Sequence, residues 1–111
     1  MDSVPRGFFA YASRPPSLPE TIRKAISLIN ETGAVRLDGW ESALRPAGKF
    51  MVGEICARIE EREIFACDLT SLNSNVLFEL GYAITKRKRV WIVLDGSYSG
   101  AVANYNALPL T

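Results

Sequence analysis

Ile64-Phe65-Ala66-Cys67-Asp68-Leu69-Thr70-Ser71-Leu72-Asn73-Ser74-Asn75-Val76-Leu77-Phe78-Glu79-Leu80 sets out a strand, a loop and the start of a helix. The run Ile64 to Cys67 is continuously apolar and is closed by the carboxylate of Asp68. A strand without polar alternation is apolar on both faces, as in a parallel sheet that helices cover on both sides. Asp68 to Asn75 is dense in Ser, Thr and Asn, which favour turns and helix caps over strand continuation. From Asn75 to Arg87 the apolar residues return at helical spacing, with Val76, Leu80, Ala83 and Ile84 on one stripe. Asn75 and Glu79, four apart, share the flank of that helix, which places Glu79 in about its first turn.

The same alternation extends in both directions. Downstream, Val90 to Leu94 is a second wholly apolar strand, ending in Asp95. Upstream, Met51, Val52, Ile55, Cys56 and Ile59 mark a helix running to the charged Glu60-Glu61-Arg62-Glu63. Ala34 to Asp38 alternates apolar and polar residues, as an edge strand with one wet face does, and 39–48, with Trp40 and Pro46, reads as a long loop. Gly7 to Ala12 is a buried strand before the loop Ser13-Arg14-Pro15-Pro16. Pro19-Glu20 opens a helix with Ile22, Ala25, Ile26 and Ile29 at core spacing, and Asn30 to Gly33 stops it.

The pattern β-α-β-α-β-α-β predicts an α/β domain, a flavodoxin-like three-layer α/β/α arrangement with a parallel sheet in strand order 2-1-3-4. The alternating second strand belongs at an edge, and the apolar first, third and fourth strands inside. Past Gly96 neither a fifth strand nor a closing helix is legible. Residues 1–111 are therefore read as one domain, with a longer protein that continues beyond Thr111 left open.

Composition narrows the function. The 111 residues are 48% hydrophobic and 23% charged, the balance of an ordinary globular domain. A formal charge of +1 supplies no field for nucleic acid or an anionic membrane, and Lys86-Arg87-Lys88-Arg89 reads as a solvated helix end. The apolar runs are strand-sized and no secretory leader is visible, so the expected location is cytoplasmic. The chain has no histidine, which removes Ser/His and Cys/His dyads and the usual zinc sites. Cys56 and Cys67 sit in apolar segments without metal spacing, and no metal is expected. Acid or base chemistry near neutral pH then falls to a carboxylate, or to a tuned lysine, cysteine or tyrosine.

In a doubly wound sheet a ligand binds beyond the carboxyl ends of the strands where the strand order reverses, here between the first and third strands. Tyr11 and Ser13 arrive there from one side; Asp68, Asn73, Asn75 and Glu79 arrive from the other. A helix-borne carboxylate beside such a crevice can attack a sugar carbon or stabilise positive charge on it. Trp40 is a further substrate-binding candidate, as a lid aromatic that stacks on a base. Each candidate also has a structural reading: Glu79 as a complement to the helix dipole or an arginine partner, Asp68 as a cap, Asn73 and Asn75 as turn residues, Trp40 as a core aromatic.

The run from Asp68 through Asn75-Val76-Leu77-Phe78-Glu79-Leu80-Gly81-Tyr82-Ala83, followed by Arg89-Val90-Trp91-Ile92-Val93-Leu94, resembles the TIR-like and nucleoside 2-deoxyribosyltransferase-like domains of bacteria. The resemblance implies cleavage of an N-ribosyl bond in NAD or a nucleoside, with Glu79 as nucleophile or cation stabiliser, as in a TIR-like NAD hydrolase of bacterial defence. It puts Asp68 as a second catalytic carboxylate and Asn75 near the sugar hydroxyls. It puts Tyr11 and Ser13 beside the base or phosphates. Two departures stand out. The serine and Trp-Cys pair usual in TIR domains are replaced by Asn73, Asn75 and Val76, and the Asp-Gly pair of the deoxyribosyltransferases by Asn73-Ser74-Asn75. The implied ligand is a small nucleotide or nucleoside acting as substrate, with no cofactor, and whether the chain forms a homo-oligomer is left open. The alternative is a non-catalytic nucleotide-sensing or self-assembly module of the same fold.

Overall fold

The computed structural model describes residues 4–39 and 51–108. The chain runs through β1 (Arg6–Ala10), α1 (Ser17–Glu31), β2 (Arg36–Gly39), α2 (Met51–Glu61), β3 (Ile64–Asp68), α3 (Ser74–Thr85), β4 (Arg89–Val93) and α4 (Ala101–Asn106). The four strands form one parallel sheet in the order β2-β1-β3-β4, as the apolar pattern predicts. β1 is the central ladder, with Arg6 opposite Arg36 on one side and Gly7 opposite Ile64 on the other.

Strand periodicity separates two cores. Phe8, Ala10, Phe65 and Cys67 point to one face, where Ile55 and Ile59 of α2 and Val76, Leu80 and Ala83 of α3 cover them. Phe9, Ile64 and Ala66 point to the other, against Leu18 and Ile22 of α1 and Leu37 of β2. Gly7 permits this density: a Cβ there would stand 2.7 Å from Leu37 Cδ2 and 3.1 Å from Ile64 Cβ. At the foot of the sheet the buried Arg62 reaches from the end of α2 to Asp38 of β2 at 2.9 Å, fastening the β2 edge.

Four expectations change. The first strand ends at Ala10, leaving Tyr11 and Ala12 to open the loop at its carboxyl end. β4 is an edge strand among the described residues, and Trp91, Ile92 and Val93 are 38%, 37% and 43% exposed. Its apolar run reports what both of its faces prefer and carries no information on whether a strand lies beyond it. Finally, α4 had no legible signal: it is six residues long, follows Gly100 at φ 78°, and buries only Ala101, too little for a helical period to register. Gly39 of the expected loop belongs to β2, while residues 40–50, Trp40 among them, lie outside the described residues. Among the described residues no helix is long and apolar enough to cross a membrane.

Candidate active site

The loop after β3 starts α3 in a defined direction. Asn73, with extended backbone at φ −133° and ψ 130°, is the N-cap, and its side-chain oxygen accepts from the backbone N–H of Asn75 at 2.9 Å and of Val76 at 3.3 Å. That cap satisfies two of the helix's orphan donors and turns Asn75, Val76 and Glu79 toward the carboxyl end of β1. A cavity of about 150 Å³ results, lined by Tyr11, Ala12, Ser13, Ile55, Asn73, Asn75, Val76 and Glu79. Its size suits a ribose-sized group, and its open side leaves room for the remainder of a larger ligand.

Glu79 belongs to the second turn of α3, one turn deeper than the sequence suggests, because the helix begins at Ser74. It is only 8% exposed, and no hydrogen bond or ion pair to its carboxyl forms among the described residues. Removal from water without a compensating donor disfavours the anion, so burial pushes the carboxyl up from its ordinary 4.5 to about 7. Near neutral pH the group is thus divided between carboxylate and acid, the range in which one side chain serves best as base, nucleophile or acid. The thiols nearby do not compete for these roles. Burial, with smaller effects from Asp68 and Glu79, pushes Cys67 up to about 12, and burial also raises Cys56. Neither is a thiolate at neutral pH.

Tyr11 is 4% exposed and packs edge-on against Phe9 with ring centroids 6.1 Å apart, so its position at the cavity wall is fixed by the core. Ser13, on the loop beyond it, is exposed. The structure therefore brings Tyr11, Ser13, Asn73, Asn75 and Glu79 to one cavity although they come from two distant segments. Ile55 of α2 completes the wall. Sequence reasoning took Ile55 for core alone, and only its position on the sheet-facing side of α2 hints at the second role.

Asp68 does not line this cavity. Strand alternation explains why: Ile64, Ala66 and Asp68 share the α1 face of β3, while Cys67 faces α2 and α3. The Asp68 carboxyl accepts from Thr70 Oγ1 at 2.7 Å and from the Thr70 N–H at 3.3 Å, and Thr70 Oγ1 accepts in turn from the Asp95 N–H at 2.7 Å. Burial raises its pKa, and the Thr70 hydrogen bonds partly offset the rise. Asp68 instead ties the β3 loop to the end of β4, beside a second hollow of about 400 Å³ between α1 and β4 that Phe9, Ile22 and Val93 also line. The expectation that it sits with Glu79 in one crevice is corrected by a single step of strand phase. Among the described residues no three His, Cys, Asp or Glu side chains are grouped to hold a metal ion.

No protein-family model matches the chain, and no curated protein matches it. Among solved structures, the chain is similar to that of Clostridium botulinum CMP N-glycosidase, BcmB, with a TM-score of 0.62. The match covers 88% of this chain and 81% of that one, at 19% sequence identity. The two share a fold. The three-layer arrangement and the strand order therefore rest on both the structure and the likeness. The chemistry of this chain has to be argued from its own cavity.

Proposed function

We propose that this chain cleaves the N-glycosidic bond between a base and the ribose of a nucleotide or nucleoside, with Glu79 acting at the anomeric carbon. One observation carries the reading: a buried carboxylate with no partner among the described residues forms the wall of a sugar-sized cavity at the switch point of the sheet. As the bond from the anomeric carbon to the base nitrogen breaks, its electron pair leaves with the base and positive charge grows on the sugar. The Glu79 anion either bonds to that carbon or stabilises its charge; water then adds its hydroxyl to the carbon, displacing Glu79 where it had bonded, and its remaining proton passes to the departed base or, for a base that leaves neutral, to solvent. An anion held in a site poor in water gains more from the transition state than from the neutral ground state. Asn73 already spends its oxygen on the helix N-terminus, which leaves its amide N–H groups as donors toward a ligand oxygen. In this reading Asn75, on the same cavity wall, serves the sugar hydroxyls, and Tyr11 and Ser13 the base or phosphate.

The similarity to a CMP N-glycosidase supports a nucleoside monophosphate as the first substrate to try. The sequence resemblance adds NAD, whose pyridinium leaves without needing a proton. That property suits a cavity in which Glu79 is the one carboxylate among the described residues. The test incubates the protein separately with CMP, the other ribonucleoside monophosphates, a deoxynucleoside and NAD, and follows free base or nicotinamide. Release from one class, absent in Glu79→Gln, is expected. No release from any of them, together with a ligand-induced rise in melting temperature, would leave nucleotide sensing as the function.

A further inference from the structure

We propose that Tyr98 is a positioning residue for the cavity, holding through Ser17 the loop that brings Ser13 to the cavity wall. The ligand is the nucleotide of the glycosidase reading, on which this role rests; the mechanism is one of loop attachment. The ladder between β1 and β3 ends with Ala10 opposite Cys67. Past that rung the two segments part around the cavity, residues 11–13 on one side and Asn73, Asn75, Val76 and Glu79 on the other. Their relative place then depends on what holds each of them beyond the sheet. The α3 side is anchored by the Asn73 cap and by the buried Val76 and Leu80. On the other side Tyr11 and Ala12 are buried, but residues 13–17 are all exposed. Pro16, at the N-cap of α1, makes no side-chain cap hydrogen bond, so the exit of this loop lacks the fastening that Asn73 gives α3.

Tyr98 supplies that fastening from the far end of the chain. Its hydroxyl and Ser17 Oγ share a hydrogen bond of 2.8 Å. Its ring packs on the apolar cluster that contains Tyr11, Ala12 and Leu18, so one side chain grips both the buried entrance of the loop and its exposed exit. Tyr98 is itself pinned. Its N–H donates to the Asp95 carbonyl at 3.2 Å, and its carbonyl accepts from the Ala101 N–H at 3.2 Å. Asp95 Oδ1 accepts from the Ser97 N–H at 3.0 Å and from Ser97 Oγ at 2.6 Å, which closes the turn ahead of it. The Asp95 N–H donates to Thr70 Oγ1, and Thr70 Oγ1 donates to Asp68. A path of hydrogen bonds thus leads from the end of β3, past the end of β4, to the first residue of α1. It joins the two sides of the cavity by a route outside the cavity. Cutting it at Tyr98 frees residues 13–17 and leaves Glu79 on α3 untouched. One such hydrogen bond is worth roughly three- to tenfold in an equilibrium, and a loop that spends time elsewhere lowers apparent affinity by the fraction of time it is away.

Tyr98→Phe keeps the ring and deletes the hydroxyl, which separates the tie from the packing. KM for the nucleotide that the wild type cleaves should rise roughly three- to tenfold with kcat within about twofold, the pattern of lost binding rather than of lost transition-state stabilisation. Ser17→Ala should do the same, and the double variant no more than either alone, because both delete one bond. The Leu18 amide, which donates to the Pro15 carbonyl at 2.9 Å, reports on the loop exit by NMR hydrogen exchange. Its exchange should quicken at least about threefold in either variant, with the Leu80 amide of α3 at its wild-type rate and the melting temperature shifted by less than about 4 °C. Unchanged Leu18 exchange, unchanged KM, effects that add in the double variant, or a fall in kcat at constant KM each overturns the role given to Tyr98. A wild type that binds CMP but releases base from no nucleotide defeats the glycosidase reading alone; the dissociation constant for CMP, by calorimetry, then takes the place of KM. A wild type that neither cleaves nor binds any of the nucleotides defeats both, whatever the exchange of Leu18.

Discussion

Replacing Glu79 with glutamine should raise stability while removing activity, and the size of the gain follows from the burial of the carboxyl. The folded protein holds that group up to about 7 against an ordinary value of 4.5. Below pH 4.5 both folded and unfolded chains keep the proton and nothing is lost. Between the two values the unfolded chain ionises while the folded one does not, so stability falls by about 1.4 kcal/mol for every pH unit. Above pH 7 both are ionised, and the wild type carries a destabilisation of about 3 kcal/mol. Glutamine keeps the shape and cannot ionise; burying its unpaired amide returns on the order of 1 kcal/mol of the gain. Glu79→Gln should therefore be more stable than wild type by about 2 kcal/mol at pH 8, some 8 °C in melting temperature for a domain of this size. At pH 4 the difference should vanish or reverse slightly. Thermal melts at the two pH values, with base release measured on the same samples at pH 8, provide the check. The rate should drop at least about a hundredfold, comparable to the loss of one preorganised group. A variant destabilised equally at both pH values would mean that Glu79 has a stabilising partner, and the reasoning from an unpaired carboxylate would fail. Undiminished turnover would put the chemistry on another residue.

For the wild type, kcat/KM should climb with pH and level off above about 7 if the Glu79 anion is the working form, a profile obtained by steady-state assay. Asn73→Ala removes the N-cap of α3 and should lower stability by about 1 kcal/mol in denaturant titration; Asn73→Asp keeps the cap, yet should raise KM for an anionic nucleotide because the donor becomes a negative charge. Thr70→Val strips two hydrogen bonds from the network between Asp68 and Asp95, and a loss of about 1–3 kcal/mol is expected, larger at pH 7 than at pH 3 because the Asp68 anion is then left with less support. Gly7→Ala should destabilise by about 1–3 kcal/mol through overpacking between β1, β2 and β3, visible as an earlier thermal transition.

Much of the architecture was readable because parallel strands leave an unambiguous mark: Phe65, Ala66 and Cys67 are apolar for the same reason that they are buried. The helix carrying Glu79 was readable from Val76, Leu80 and Ala83, and with it the cavity wall. Asp68 was misplaced because a strand-end residue's face depends on phase, and counting in twos from Ile64 would have sent it to the α1 side. That β4 has no second neighbour among the described residues could not be read, since hydrogen-bonding neighbours are not encoded in the polarity of side chains perpendicular to them. Ile55 was legible as core and not as cavity wall, because an apolar side chain serves either purpose with the same chemistry.

β1 forms both of its ladders with segments that come later in the chain, Arg6 with Arg36 and Gly7 with Ile64. During synthesis at about 5–20 residues per second, Phe8 and Phe9 therefore emerge several seconds before β3 exists to pair with them. Only α1 and β2 can shelter one side in the interval, and the face that will meet α2 and α3 stays wet. The strand at the centre of the finished sheet is thus the segment left longest without a partner on the ribosome. Early binding by a holdase chaperone would act on Phe8-Phe9 more than on any later element.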